Sequence, residues 1–489
     1  MPPRSGGCRV KGGNPMPPEA IPPLSAKEVP TMSSIQQKVQ SARAFYQSGK
    51  TRDIPFRLEA LRRLQAAIGQ HETALEEALK TDLNKSPYEA HMTEISLVKS
   101  ELHHALGHLK RWAKPRWVRP GLGQMPSSAR VLPAPYGTVL IMSPWNYPFM
   151  LTLSPLIGAI AAGNTVVVKP SDYAPQTSHV MAAILAEAFE AGHVQVVEGG
   201  RQENSALLEE QYDYIFFTGS PGVGHLVMEK AARHLTPLTL ELGGKSPVIV
   251  EDSADIAQAA RRVLFGKLVN TGQTCIAPDY VLVPASKKQA LLSALKEQAA
   301  LMVPSAEYRR QNMGRIVNRK HFDRLMGLMQ GQTLALGGEG DPDTLHIALT
   351  LLDDPAPDSP VMQEEIFGPL LPVLSYEKLE DALQFVESRP HPLALYLFTQ
   401  DKGVAHRVMN RLLFGGGCVN DTLMHIANHR MPFGGVGNSG MGRYHGKYSF
   451  DTFSNFKAVL YKSRFFDLRV RYHPYKKPQG KLPDALFKL

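Results

Sequence analysis

The sequence predicts an α/β protein built on parallel sheets, in two successive α/β portions. Three observations carry that expectation. Short apolar runs begin at Gly137 ("GTVLIMS"), Asn164 ("NTVVVKP"), Val194 ("VQVVEGG") and Tyr212 ("YDYIFFTGS"), the first three roughly thirty residues apart, as βαβ units require. The runs are dense in Val, Ile and Phe without polar alternation, which suits strands covered on both faces. Helix-like segments such as "TSHVMAAILAEAFEAG" fill the gaps, with hydroxyl residues ahead and Gly192 behind.

In chain order, residues 1–31 are rich in Pro and Gly and lack the apolar core of a signal peptide, so a disordered extension is expected. Helical periodicity starts at Met32, where folding and the natural start are expected. From Gln36 to about Trp112 the pattern stays helical. A Pro/Gly-rich connector, Pro115 to Pro135, precedes the strand-like runs. A second α/β portion follows "ELGGKSPVIV" (Glu241 to Val250), with helical "SADIAQAARRVLFGKLV", strand-like "YVLVPA" and alternation up to about Val419. From Met431 the chain is Gly-rich, then aromatic, then basic. That stretch suits an extended segment packing across domains or onto another subunit. The most apolar segment, Leu151 to Val168, contains Pro155, Gly163 and Asn164 and is too broken to span a bilayer, so no membrane anchor is expected.

The 489 residues, 43% hydrophobic and 20% charged, can build large cores in more than one domain. The net charge of +9 is dispersed apart from Lys110 to Arg119 and Arg469 to Lys477. Neither cluster sits in a nucleic-acid motif, so no nucleic-acid partner is expected. Cys8, Cys275 and Cys418 are too few and too scattered for a disulfide framework or a metal site. A reducing compartment and no metal are therefore expected.

Several side chains follow the strand-like runs, where parallel sheets bind ligands. Gly219, Gly222 and Gly224 in "GSPGVG" form either a phosphate-binding turn or a tight structural one; Pro221 interrupts the usual spacing. Lys169 and Asp172 are ribose partners, or a solvated lysine and a helix cap. Asn146, held between prolines in "SPWNYP", is an oxyanion donor or a loop stabiliser. Glu241 in "ELGGK" is a desolvated general base, unless Lys245 pairs with it. Cys275 in "NTGQTCIAP" is either a presented thiol or a buried one.

"SPWNYP", "GNTVVVKPSD", "FTGS", "ELGGKSP", "GQTCIAPDY", "QEEIFGP" and "PFGGVGNSGMGRYHGKYSFDTFS" occur together and in order. Over roughly Ser33 to Tyr475 the chain resembles the aldehyde dehydrogenase superfamily, in particular its class 3-like branch. The resemblance implies a Rossmann-type NAD(P)-binding domain (32–113 and 133–241) and a catalytic domain (242–430). Bridging, oligomerising segments (114–132 and 431–489) complete it. It implies Cys275 as nucleophile, Glu241 as general base and Asn146 as oxyanion donor. Glu365 and Phe367 match residues that position the nicotinamide ribose and ring. Lys169, Asp172, Gly219, Ser220, Gly222 and Gly224 match other cofactor contacts. Aldehyde substrates, NAD and/or NADP, a homodimer and a cytoplasmic location are implied with them. Tyr147, beside the oxyanion donor, is a candidate for the substrate pocket; Tyr444, Tyr448 and Phe450 line a tunnel, belong to the core or make subunit contacts. Pro221 and Gly222 depart from the family pattern. So does Asp172, where many relatives carry Glu: a shorter carboxylate leaves room for a 2′-phosphate, so use of both cofactors is expected.

Overall fold

A computed structural model describes residues 32–467 and 472–474. The extension expected over 1–31, Cys8 and most of the basic cluster from Arg469 to Lys477 lie outside the described residues. The fold is α/β, as expected, around two mainly parallel sheets. The first has six strands in the order Gly440–Met441, Leu238–Glu241, Tyr214–Thr218, Thr138–Met142, Thr165–Lys169, Val194–Val196. All its pairings are parallel except that of the edge strand Gly440–Met441. The second has seven strands, Leu334–Leu336, Thr350–Asp353, Leu370–Tyr376, Tyr280–Pro284, Pro247–Val250, Ala394–Phe398 and Gly416–Val419, with only Leu334–Leu336 antiparallel.

The unalternating runs become strands buried along their whole length, such as Thr138–Met142 and Thr165–Lys169. Between them runs helix Met150–Ala162, every residue of which is buried. Its apolar character therefore reflects a place between the sheet and the N-terminal helices, which share one core with it. Among the described residues no helix is long and apolar enough to cross a membrane. Helix Pro175–Ala188 starts two residues earlier than its hydroxyl residues indicated. Its cap comes from elsewhere: Asp82, at the end of helix Glu72–Leu83, accepts from the Gln176 and Thr177 amides and the Thr177 hydroxyl.

Arg116–Val118, Ser127–Pro135 and Ser454–Lys462 form a separate antiparallel sheet. The intervening residues 431–453 do not join it. Gly440–Met441 instead edges the six-stranded sheet, and helix Lys447–Thr452 packs on helix Met150–Ala162, where Gly158 admits Ser449. Phe450 packs at a tilt against Trp112 inside that core, whereas Tyr448 is exposed.

Three buried histidines make the fold sensitive to acid. His193 packs among Phe45, Phe56 and Phe189; burial pushes it, His425 and His445 down to about 4. Above the ordinary histidine value both folded and unfolded chains are neutral there, and no stability is lost. As pH falls from about 6.5 to 4, only the unfolded chain takes up the proton, costing on the order of 1.4 kcal/mol per histidine per pH unit. Urea unfolding midpoints are expected to fall steeply below pH 6, and less steeply in His193→Phe. Equal slopes in the two proteins would contradict this assignment.

Candidate active site

The carboxyl ends of the six-stranded sheet face the amino ends of the central strands of the seven-stranded sheet. Residues just past Thr138–Met142, Tyr214–Thr218 and Leu238–Glu241 meet residues just ahead of Tyr280–Pro284 and Leu370–Tyr376. A cavity of about 430 Å³ lies between them, lined by Asn146, Gly219, Ser220, Glu241, Cys275, Glu365 and Phe367. Tyr147 also lines it. Apolar side chains, Met92, Leu97, Met150, Phe265, Leu423 and Phe433, make most of the remaining wall.

Cys275 rides on a strained loop. Asn270 (φ 49°), Thr271 (φ 54°) and Gly272 (φ 74°) are three successive left-handed residues, and each non-glycine among them costs of order 1 kcal/mol or more. The loop is held from several sides. Thr271 donates through its hydroxyl to Gly314 O at 2.6 Å, and the Asn270 side chain donates to Gln273 O at 3.1 Å. Gly272 sits so close to the Gly368 carbonyl that a Cβ would lie 2.3 Å from it. Cys275 lines the cavity, and the Cys275 and Ile276 amides favour its ionised form. Burial pushes the Cys275 thiol strongly up, and the Glu365 and Glu241 carboxyls push the same way.

Glu241 ends strand Leu238–Glu241, beside Thr218 in register. Both its carboxylate oxygens are buried without a partner among the described residues. Burial holds its carboxyl well above the usual range, and Arg443 opposes this. The alternative pairing with Lys245 does not form: Lys245 is bonded to Asp279, Val361 O and Glu364 O. Asn146 is buried and donates through its amide to Gln273 O at 3.0 Å, which ties it to the cysteine loop. The Tyr147 hydroxyl bonds Thr274 Oγ1 at 2.5 Å, one residue from Cys275.

Glu365 lies against the "LGG" turn; a Cβ on Gly243 would meet its carboxylate at 1.9 Å, so only glycine fits there. Burial, then Asp279, pushes Glu365 up to about 8. Phe367 (φ 52°) stands edge-on to Trp145 with ring centres 5.4 Å apart.

Lys169, Asp172, Gly222 and Gly224 lie outside this cavity's lining. Lys169 ends strand Thr165–Lys169, bonded to Pro170 O at 2.6 Å, and burial pushes it down to about 8, with Asp172 opposing. Asp172 is exposed. Pro221 occupies the first turn of helix Pro221–Ala232, where its missing N–H is not needed. Gly222 is open on its side-chain face, whereas Gly224 makes room for Leu242 Cδ2, 2.7 Å from where its Cβ would stand.

The aldehyde dehydrogenase family model matches residues 23–459. The chain belongs to the aldehyde dehydrogenase family. This aldehyde dehydrogenase is 47% identical over 91% of its length to 4,4'-diaponeurosporen-aldehyde dehydrogenase of Staphylococcus aureus, 97% of which is covered. It is 42% identical to the dimeric NADP-preferring aldehyde dehydrogenase of Canis lupus familiaris, over 91% of this chain and 98% of that one. The solved structure of Staphylococcus aureus AldH in its substrate-bound state superposes with a TM-score of 0.90 at 47% identity, covering 93% of this chain and 99% of that one. The enzyme is thus an NAD(P)-dependent aldehyde dehydrogenase, and its cofactors are NAD or NADP.

Arg324, another cavity residue of this aldehyde dehydrogenase, carried no signal in the sequence. Arg324 holds the Glu365 and Ile366 carbonyls at 3.3 and 2.6 Å from helix Arg319–Leu328, an amphipathic segment with nothing to mark it. Thr218 and Tyr444 present buried hydroxyls without partners among the described residues. Tyr444 belongs to the core and also lines the cavity. Cys418 lies away from the cavity, 3.5 Å from His425 Nδ1.

Proposed function

We propose that the enzyme oxidises medium-chain aliphatic and aromatic aldehydes to carboxylic acids through a covalent bond to Cys275. One observation carries this reading: Cys275, Asn146 and Glu241 come from three distant segments and line one apolar cavity. The Cys275 thiolate adds to the carbonyl carbon, and the carbonyl electron pair moves onto oxygen. The Asn146 amide and the Cys275 N–H stabilise that alkoxide. Glu241, an acceptor with two unpaired oxygens, takes a proton from water as it attacks the acyl-enzyme. The thiolate leaves and the acid is released.

The residues present fit a nicotinamide dinucleotide. Among the described residues Glu365 Oε1 and Thr218 Oγ1 are buried and unpartnered, and the first N–H groups of helix Pro221–Ala232 have no side-chain cap. Glu365 and Phe367 would hold the nicotinamide half, Gly219, Ser220, Gly222 and Gly224 the phosphates, and Lys169 with Asp172 the adenosine ribose. When bound, the oxidised cofactor supplies a cationic ring that favours the thiolate and an acceptor for the substrate's hydride.

The exposed, short Asp172 supports use of both cofactors. Initial rates with hexanal and benzaldehyde and with each cofactor test the substrate class and the cofactor together. Turnover is expected for both aldehydes, with kcat/KM for NAD and NADP within about a thousandfold, roughly 4 kcal/mol. A larger preference would contradict the reading of Asp172.

A homodimer is supported by the three-stranded sheet, where Trp117, Phe456, Leu460 and Tyr461 are exposed and strand Ser454–Lys462 lies at the edge of the sheet. The dimeric canine relative points the same way. A cytoplasmic location is supported by the scattered cysteines.

A further inference from the structure

Beneath the cavity floor lies a buried ion pair that the chemistry above does not use. Lys85 and Glu94 are both fully buried, with Nζ and Oε1 2.5 Å apart. Removing two charges from water is costly, and apolar residues of similar volume usually serve stability as well or better. What sets this pair apart is where its remaining bonds go. Lys85 Nζ also donates to the backbone carbonyl of Asn146 at 2.9 Å and lies 4.1 Å from the centre of the Tyr147 ring. The other Glu94 oxygen accepts from the Phe149 and Met150 amides at 2.8 and 3.2 Å, at the start of helix Met150–Ala162.

The same short segment also reaches the cysteine loop. Glu89 accepts from the Asn270 amide at 2.5 Å, at the first of the left-handed residues. The Asn270 side chain then donates to the Asn146 carbonyl at 2.8 Å, so that oxygen receives two donors. Asn146 Nδ2 and Asn270 Nδ2 both end on Gln273 O. Glu94 sits in a π-helical turn, His91–Ile95, a local distortion frequent at functional sites. The loops bearing Asn146 and Cys275 thus hang from one segment, Lys85 to Glu94.

We propose that Lys85, anchored by Glu94, is a positioning residue for carbon–sulfur bond formation: it fixes the Asn146 peptide so that the Asn146 side chain meets the oxygen of an aldehyde attacked by Cys275. The inference rests on the reading of Asn146 as oxyanion donor. Lys85 touches neither substrate nor cofactor. Its effect is therefore confined to the step in which negative charge forms on that oxygen, and it vanishes when the Asn146 side chain is absent.

The test is a double-mutant cycle in the full-length enzyme. Lys85→Met/Glu94→Gln removes both charges, while the Gln oxygen still accepts from the helix amides. Rapid mixing with NAD and hexanal reads the rate constant of the NADH burst, and fluorescence titration reads NAD affinity. The burst is expected to slow on the order of ten- to a hundredfold, with NAD affinity unchanged. Added to Asn146→Ala, the same substitution is expected to slow the burst no further. Multiplicative losses would overturn the role of Lys85 alone, leaving Asn146 as donor. An unchanged burst in Asn146→Ala would overturn the oxyanion reading and this inference with it. Should the double substitution fail to fold, Glu94→Gln alone is read by the same cycle, since it weakens the anchor of Lys85 and keeps every acceptor.

Discussion

Cys275→Ser is expected to lower aldehyde oxidation by at least about a thousandfold, to the floor of an absorbance assay. The sulfur cannot be replaced by a hydroxyl here, because nothing in the cavity would ionise it. An alcohol is far harder to ionise than a thiol, and the Glu365 and Glu241 carboxyls beside position 275 oppose a negative charge there. Burial already pushes the Cys275 thiol up, so a serine would stay fully protonated. NAD affinity should be unaffected, since Cys275 is bonded to none of the proposed phosphate or ribose contacts. Activity surviving in the serine variant would remove the nucleophile assignment.

Glu241→Gln separates the two halves of the reaction. The amide fills the same space, bounded by Gly434, whose Cβ would stand 2.9 Å from Glu241 Oε1, but it accepts no proton from water. Acyl transfer to Cys275 does not need that base. A full burst of NADH is therefore expected, followed by turnover about a hundred- to ten-thousandfold slower than in the parent enzyme. In the parent enzyme the raised Glu241 carboxyl has a further consequence. Only its deprotonated form takes up the proton, so where hydrolysis limits turnover, kcat rises with pH over a range above that of an ordinary carboxylate. Loss of the burst in Glu241→Gln would place this residue before acyl transfer.

The strands were legible because burial on both faces leaves a continuous apolar run, and Asn146 and Gly219 follow directly from where those runs stop, whereas Glu241 stood out by its place beside two glycines. Cys275 was not legible in this way. It precedes a strand, and the backbone that presents it depends on left-handed Thr271 following left-handed Asn270, and a β-branched residue signals no such turn. Only the whole set of family motifs singled it out. Partners distant in sequence were equally hidden: Lys245 looked available to Glu241 but pairs with Asp279, because the neighbouring strands Pro247–Val250 and Tyr280–Pro284 bring those two side chains together. Asp82 caps a helix that opens at Pro175. Lys85 and Glu94 resembled any pair of charges on a polar helix, and their burial follows only from the packing of the N-terminal helices over the cavity floor.

The most direct measurement is the intact and peptide mass of the Glu241→Gln enzyme quenched just after mixing with NAD and hexanal. A hexanoyl group on the peptide containing Cys275, absent when NAD is omitted, is the expected result. An unmodified Cys275 after a full burst of NADH, or the acyl group on Cys418, would contradict covalent catalysis at this site.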